Sequence, residues 1–270
     1  MNKITFVLPI IRKDNILAQT CVYSILQLFN NDDVEKFFII TNANDIDYFK
    51  QIFQHYGNKI IIINELLVYP NPISHTGWHF QQVLKLYISK VIRTDYYIIL
   101  DADCYLTKKI GYYDLFINKK PIVNITYKHT NDWLLKSCKY FDLKYDDVSD
   151  DIINVTPQLC STRFVKELCE KHNNLPELIN NGCNEFWLYY CYILKHYDFN
   201  DYFHVDKDAR LGKNFIWDTS HIKNNSIQET IDFQFNDPST IFTLFQSNMH
   251  IHPQLYIPII NEKIYLTANP

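Results

Sequence analysis

Over the first hundred residues, unbroken apolar runs alternate with stretches in which apolar positions recur every three or four residues. The runs are 4–10, 37–41, 59–64 and 96–100, the third containing four consecutive isoleucines. Short runs of this kind predict strands buried on both faces. Between them, 15–29 carries Ile16, Leu17, Val22, Ile25, Leu26 and Phe29 at helical spacing. Stretches 45–56, stopped near Gly57, and 75–92 share that spacing. Strand and helix in strict alternation predict an α/β, Rossmann-like fold: a mostly parallel central sheet flanked by helices. Ligands of such sheets sit beyond the carboxyl ends of the strands, so chemistry is expected in the residues just after Leu100.

The later pattern is looser. Residues 121–128 read as a strand, and 133–145, 165–172 and 184–196 as helices. The last 60 residues read as short strands and loops, ending in an apolar, strand-like tail at 254–260. No repeat, linker or shift in composition interrupts the chain, so 1–270 reads as one domain, with a regular half (1–106) and a mixed half (107–270).

The fourth run ends in Asp101–Ala102–Asp103. On extended backbone, residues i and i+2 point the same way, so both carboxylates would face one ligand. Paired carboxylates suit Mg²⁺ or Mn²⁺ held together with substrate phosphates. Asp45–Ile46–Asp47 and Asp206–Lys207–Asp208 have the same spacing. The first sits at a helix start, where acids favour the dipole, and the second lies outside the regular run. Just before the fourth strand, Gln81 and Lys85 share a helix face as i and i+4, and a lysine there reaches toward the same ligand.

Composition narrows the chemistry. The chain has 5 glycines among 270 residues, where about 19 would be usual. It contains neither the G-x-G-x-x-G fingerprint nor a Gly-rich phosphate loop. A net charge of −4 argues against a nucleic-acid partner. The 7 cysteines form no C-x-x-C pair and read as reduced, buried thiols. No apolar run approaches the ~18 residues of a membrane span. The N-terminal run continues into Arg12–Lys13–Asp14 rather than a cleavage site. Together these predict a soluble protein of the reducing cytoplasm, or of a host cell's were the gene viral.

Gly77–Trp78–His79–Phe80–Gln81–Gln82–Val83–Leu84–Lys85, followed by the strand into Asp101–Ala102–Asp103, resembles the GT-A class of nucleotide-sugar glycosyltransferases. More closely it resembles a poorly characterised, glycosyltransferase-like domain family with a G-W-x-x-Q-Q-x-L-K helix and a D-A-D motif. Val155–Thr156–Pro157, Asn184–Glu185–Phe186–Trp187 and Gln246–Ser247 are fainter echoes. The resemblance implies a GT-A-like fold whose 1–106 half binds a nucleotide-diphosphate sugar, UDP- or GDP-linked, and whose 107–270 half faces the acceptor. It implies that Asp101 and Asp103 hold Mn²⁺ or Mg²⁺ and the diphosphate, Asp103 more directly. Pro9, Ile10 and Arg12 would lie under the nucleotide, with Trp78, Gln81 and Lys85 beside it. Enzymes of this class often add a C-terminal histidine to the metal. His250 and His252 are available and would face one way on a strand, or lie idle on an edge.

Inverting transfer needs a base at the acceptor hydroxyl. Glu185, opening an aromatic-rich helix, is the first choice and Asp218 the second; a helix-start acid serving the dipole is the plainer role for Glu185. Trp78, Trp187 and Trp217 are available for stacking on sugars, though burial is the commoner fate of Trp. Arg210 and Lys213 read as a solvated loop with phosphate contact as the alternative. The acceptor would be a glycan, a protein or a lipid-linked saccharide. Two other readings are an inactive GT-A-like binding module and a sugar-nucleotide pyrophosphorylase. The latter resembles proteins with a Gly-rich loop after the first strand, where this chain has Leu8–Pro9–Ile10–Ile11–Arg12.

Overall fold

Each of the four early apolar runs becomes a strand. The computed structural model describes residues 2–71, 77–127, 132–149, 151–153, 155–212, 215–222 and 226–270. In chain order come β1 (Ile4–Pro9), α1 (Asn15–Leu28), β2 (Val34–Thr41), α2 (Ile46–Phe53), β3 (Ile60–Asn64), α3 (Glu65–Val68), α4 (Gly77–Tyr87) and β4 (Tyr96–Ile99). Next are β5 (Cys104–Leu106), β6 (Phe116–Ile117), β7 (Lys120–Val123), β8 (Ile125–Tyr127), α5 (Asp132–Tyr140), β9 (Asp151–Ile153) and β10 (Gln158–Ser161). The chain ends with α6 (Thr162–Lys171), α7 (Leu175–Asn180), α8 (Glu185–His196), α9 (Phe199–Tyr202), β11 (His204–Val205), α10 (Ile227–Asn236), β12 (Phe242–Leu244) and α11 (Ile257–Ala268).

The main sheet has the order β10–β4–β1–β2–β3. β1 is parallel to both β2 and β4, β2 is parallel to β3, and β10 adds an antiparallel edge. Alternate residues of each strand enter two cores. Phe6, Leu8, Phe37, Ile39 and Ile98 face one core with α1, α2 and α11. Val7, Phe38, Ile40, Tyr97 and Ile99 face the other, with α4, α6 and α8. Covering both faces makes the strands read as continuous apolar runs.

The tail departs from expectation. Residues 254–260 do not form a strand: Pro253–Leu255 is a 3-10 turn, and α11 begins at Ile257 with Pro258 in its first turn. Ile257, Ile260 and Ile264 are buried on one side of α11, which packs on α1. That i, i+3, i+7 spacing is a helical stripe. The last 60 residues also contain α10, so they are not only strands and loops. No described helix is long and apolar enough to cross a membrane. The seven cysteines are free and buried.

Candidate active site

β4 pairs with β1 so that Ile99 lies opposite Val7, and Leu100 N donates to the Val7 carbonyl at 2.9 Å. The chain therefore leaves the sheet beside Pro9 and Ile10. This is the crevice between β1 and β4, where the strand order reverses. A cavity of about 210 Å³ opens there, with Pro9, Ile10, Asp14, Lys85, Asp101 and Asp103 in its wall. A second cavity, about 580 Å³, shares Pro9, Ile10, Asp14, Trp78, Gln81 and Ser247 with the first.

The two aspartates are not on extended backbone. Cys104 N donates to the Asp101 carbonyl at 3.1 Å, closing a turn through Ala102 and Asp103. Both side chains nonetheless reach the cavity wall. The turn holds because β5, directly after Asp103, pairs antiparallel with β12. Phe245 N then donates to the Asp103 carbonyl at 3.1 Å, and Ser247 N to Asp103 Oδ2 at 2.9 Å. Asp103 Oδ1 is buried and has no hydrogen-bond partner among the described residues. Burial first, and then the charge of Asp101, push the Asp103 carboxyl up to about 7.

Asp101 is braced from two sides. Lys85 Nζ lies 2.9 Å from its Oδ1, and Thr156 Oγ1 donates to its Oδ2 at 2.7 Å. Burial alone would raise the Asp101 pKa; Lys85 and Thr156 outweigh it and lower the value. Lys85 is itself buried, with Glu185 Oε1 at 3.2 Å on its far side. Burial opposes the ammonium charge, yet the two carboxylates prevail and hold its pKa above the ordinary lysine value. The Tyr97 hydroxyl fixes the backbone beneath by donating to the Lys85 carbonyl at 3.1 Å.

Glu185 does not stand on the cavity wall. It is buried behind Lys85, and its backbone N donates to Gln82 Oε1 at 3.2 Å. Burial raises its pKa, partly offset by Lys85. Asn184 caps the helix that carries it, its side chain accepting from Phe186 N and Trp187 N. A base must reach the acceptor hydroxyl, and here the Glu185 carboxylate is directed at Lys85 rather than at the cavity. Asp218 is exposed, accepts from Ser220 N at 2.7 Å and pairs with His221, with no contact to the cavity.

His250 and His252 are not neighbours on a strand. His250 comes after the turn Ser247–Met249 in left-handed conformation, and His252 Nδ1 accepts from Gln254 N at 3.3 Å. Among the described residues no group of three or more His, Cys, Asp and Glu side chains could hold a metal. The expected Asp/Asp/His set is therefore not formed. Arg12 turns away: its guanidinium lies 4.2 Å over the Tyr48 ring, outside both cavity walls. Asp206 serves its own loop, accepting from Asp208 N and Arg210 and pairing with the Arg210 guanidinium at 2.8 Å. Lys213 lies outside the described residues. Trp187 is wholly buried, whereas Trp78 lines both cavities. A Cβ on Gly77 would meet nothing within 4 Å, so close packing does not demand that glycine.

Three wall or bracing residues have no role legible in the sequence pattern: Asp14, Thr156 and Ser247. Asp14 does carry a signal, since it comes after the first strand much as Asp101 comes after the fourth. Thr156 and Ser247 lie in the fainter echoes of the family pattern, but their bonds to Asp101 and Asp103 act across 55 and 144 residues, so the echoes do not show what they hold.

The family model that matches this chain spans residues 1–267. The chain belongs to a family of unknown function (DUF6492). No curated protein matches this DUF6492 chain in sequence. Solved structures do resemble it. The apo bifunctional glycosyltransferase WbbM aligns at 12% identity and TM-score 0.54, over 97% of this chain and 50% of WbbM. Mouse xyloside xylosyltransferase 1, apo form, aligns at 10% identity and TM-score 0.48, over 93% of this chain and 100% of that one. Apo GlyE of Streptococcus pneumoniae TIGR4 aligns at 12% identity and TM-score 0.47, over 99% and 64%. The DUF6492 chain thus spans about half of WbbM. Its mostly parallel, helix-flanked α/β sheet is the fold of GT-A glycosyltransferase structures.

Proposed function

We propose that this protein is a metal-dependent glycosyltransferase, moving a sugar from a nucleotide-diphosphate sugar to an acceptor hydroxyl. One observation carries the reading. Asp103, in the wall of a cavity at the strand-order reversal, has a buried carboxylate oxygen without a partner among the described residues. The shared fold with WbbM supports it.

The residues fit a hard divalent ion. Asp103 Oδ1 is free to ligate, and each Asp101 oxygen keeps a lone pair beyond its bond to Lys85 or Thr156. Two carboxylates are few for a protein cage but suit an ion that also takes substrate phosphates. Bound Mn²⁺ or Mg²⁺ supplies charge neutralisation for the diphosphate and its departure. Lys85 adds fixed positive charge behind Asp101, and Glu185 with Tyr97 keeps Lys85 in place. Pro9, Ile10 and Asp14 flank the nucleoside in the larger cavity, and Gln81 and Trp78 stand toward the sugar. In this reading residues 1–106 supply most of the donor site, and 107–270 the acceptor side together with Ser247's clamp on Asp103.

Calorimetry with UDP and GDP, with and without Mn²⁺, and a donor screen reading nucleoside diphosphate release test the proposal. One nucleotide should bind only with the ion, and Asp103→Asn should cut release about a hundredfold or more. Binding of neither nucleotide under either condition, or full turnover in Asp103→Asn, sinks it.

A further inference from the structure

Two tryptophans stand bare beside the cavity. Trp78 on α4 is 46% exposed and Trp133 on α5 is 43% exposed. Their ring centroids are 5.5 Å apart, with the planes tilted by 40°. Trp78 lines both cavities, so the pair forms an aromatic ledge that starts at the donor site and extends outward. Trp217 is equally exposed but turns its ring edge-on to Phe215 and lines neither cavity.

Indole offers a broad apolar face and one N–H, and solvent-exposed pairs of such faces mark binding surfaces. Around the pair, Asp132 and Lys136 beside Trp133 and Ser247 and Gln81 by Trp78 are polar and reach solvent at least in part, while Pro9, Ile10, Phe80 and Leu84 share Trp78's cavity wall. An aromatic face ringed by hydrogen-bonding groups is complementary to a pyranose. The sugar's C–H face covers the ring while its hydroxyl rim meets the polar side chains. A membrane or a protein partner would ask for a continuous apolar patch instead.

We propose that the acceptor is a saccharide, and that it docks a pyranose C–H face on the Trp78–Trp133 ledge with its hydroxyl toward the Asp101–Asp103 cavity. The proposal rests on the glycosyltransferase reading and deepens it by naming the acceptor class. Trp133 is its specificity-determining residue, because it lines neither cavity and meets the site only through Trp78.

Saturation-transfer NMR on the full chain tests it, with the methyl glycosides of glucose, galactose, mannose and xylose and with their β-linked disaccharides as probes. At least one probe should receive saturation on the protons of one ring face. Trp133→Ala should weaken that binding about tenfold, and Trp133→Phe should restore most of it. Nucleotide binding with Mn²⁺, read separately by calorimetry, should be equal in wild type and Trp133→Ala. The proposal is overturned if no probe receives saturation, or if Trp133→Ala binds as tightly as wild type. It is also overturned if Trp133→Ala lowers the melting temperature and loses nucleotide binding as well, because the pair is then a clasp between helices. A wild type that binds saccharide but no nucleotide overturns the acceptor role and, separately, the glycosyltransferase reading.

Discussion

At the scale of single residues, the site is governed by a lysine that cannot be spared. Lys85 is buried between Asp101 and Glu185, at 2.9 and 3.2 Å. Two carboxylates around one ammonium leave a net negative charge that is tolerable only while the ammonium is there. Lys85→Met should therefore cost about 3–5 kcal/mol of stability, because it strands the buried Glu185 carboxylate and leaves Asp101, at the cavity wall, without its cation. Chemical denaturation reads this directly. Adding Glu185→Leu to Lys85→Met should recover part of the loss, since the second change removes one stranded charge. A single-variant cost below about 1 kcal/mol would mean that the acids do not depend on the lysine. Much of this cluster is legible in the sequence. Asp101 and Asp103 stand out by position, and Lys85 by sharing a helix face with Gln81. The role of Glu185 is not legible: its aromatic-rich helix and the family echo suggest a base, its helix-start position suggests only a dipole partner, and only the packing of α8 against α4 shows its carboxylate buried behind Lys85.

Elements differ in how far their purpose shows in local pattern. β1, β2 and β4 are largely buried and β3 packs partly buried residues on both faces, so an apolar run suffices to find each one. α11 reads wrongly as a strand because its stripe begins within a Pro-flanked apolar stretch that fits either element. α10 escapes the pattern because its buried side includes Thr230 and Gln234, which carry no hydrophobic signal. β10 is short and contains Gln158 and Ser161, and its partner β4 lies some sixty residues earlier. If α11 is a true core element, Ile264→Ala should destabilise by about 2–4 kcal/mol, as for a fully buried isoleucine. A cost under about 0.5 kcal/mol in denaturant titration would demote α11 to a surface appendage. α6 is tied to α8 through Glu167, which accepts from Arg163 at 2.8 Å, from the Tyr192 hydroxyl at 3.2 Å and from the Tyr197 hydroxyl. Burial pushes the Glu167 pKa up, but these bonds outweigh it and the net shift is downward. A depressed carboxyl stabilises the fold above its unfolded pKa, about 4.3, and loses that contribution as pH falls through the folded value. Glu167→Gln should thus cost about 1 kcal/mol at neutral pH, with the gap to wild type closing below about pH 4. Thermal melts across that range decide it, and a gap independent of pH would place the effect in packing rather than charge.

At the scale of the whole molecule, the scarcity of glycine is compatible with the shape of the site. A loop that cradles phosphate with backbone N–H groups needs glycine for close approach. This cavity instead presents carboxylates and a lysine, and side chains need no glycine. The consequence is a site assembled from distant segments. Pro9 and Ile10 come from the first strand, Asp101 and Asp103 from the fourth, and Gln246 and Ser247 from beyond β12. A donor site confined to residues 1–106 would lack Ser247's bond to Asp103 and Thr156's bond to Asp101. Ligand bound across such a site stabilises every segment that forms it. At a hundredfold excess over Kd, linkage supplies about 2.7 kcal/mol. A chain of this length gains roughly 2 °C per kcal/mol, so the melting temperature should rise about 5 °C. The rise should need both the nucleoside diphosphate and Mn²⁺, move one cooperative transition as a whole, and vanish in Asp103→Asn. Scanning calorimetry distinguishes the outcomes. Two transitions, with the ligand moving only one of them, would mean that the halves unfold separately and that the cavity belongs to just one of them.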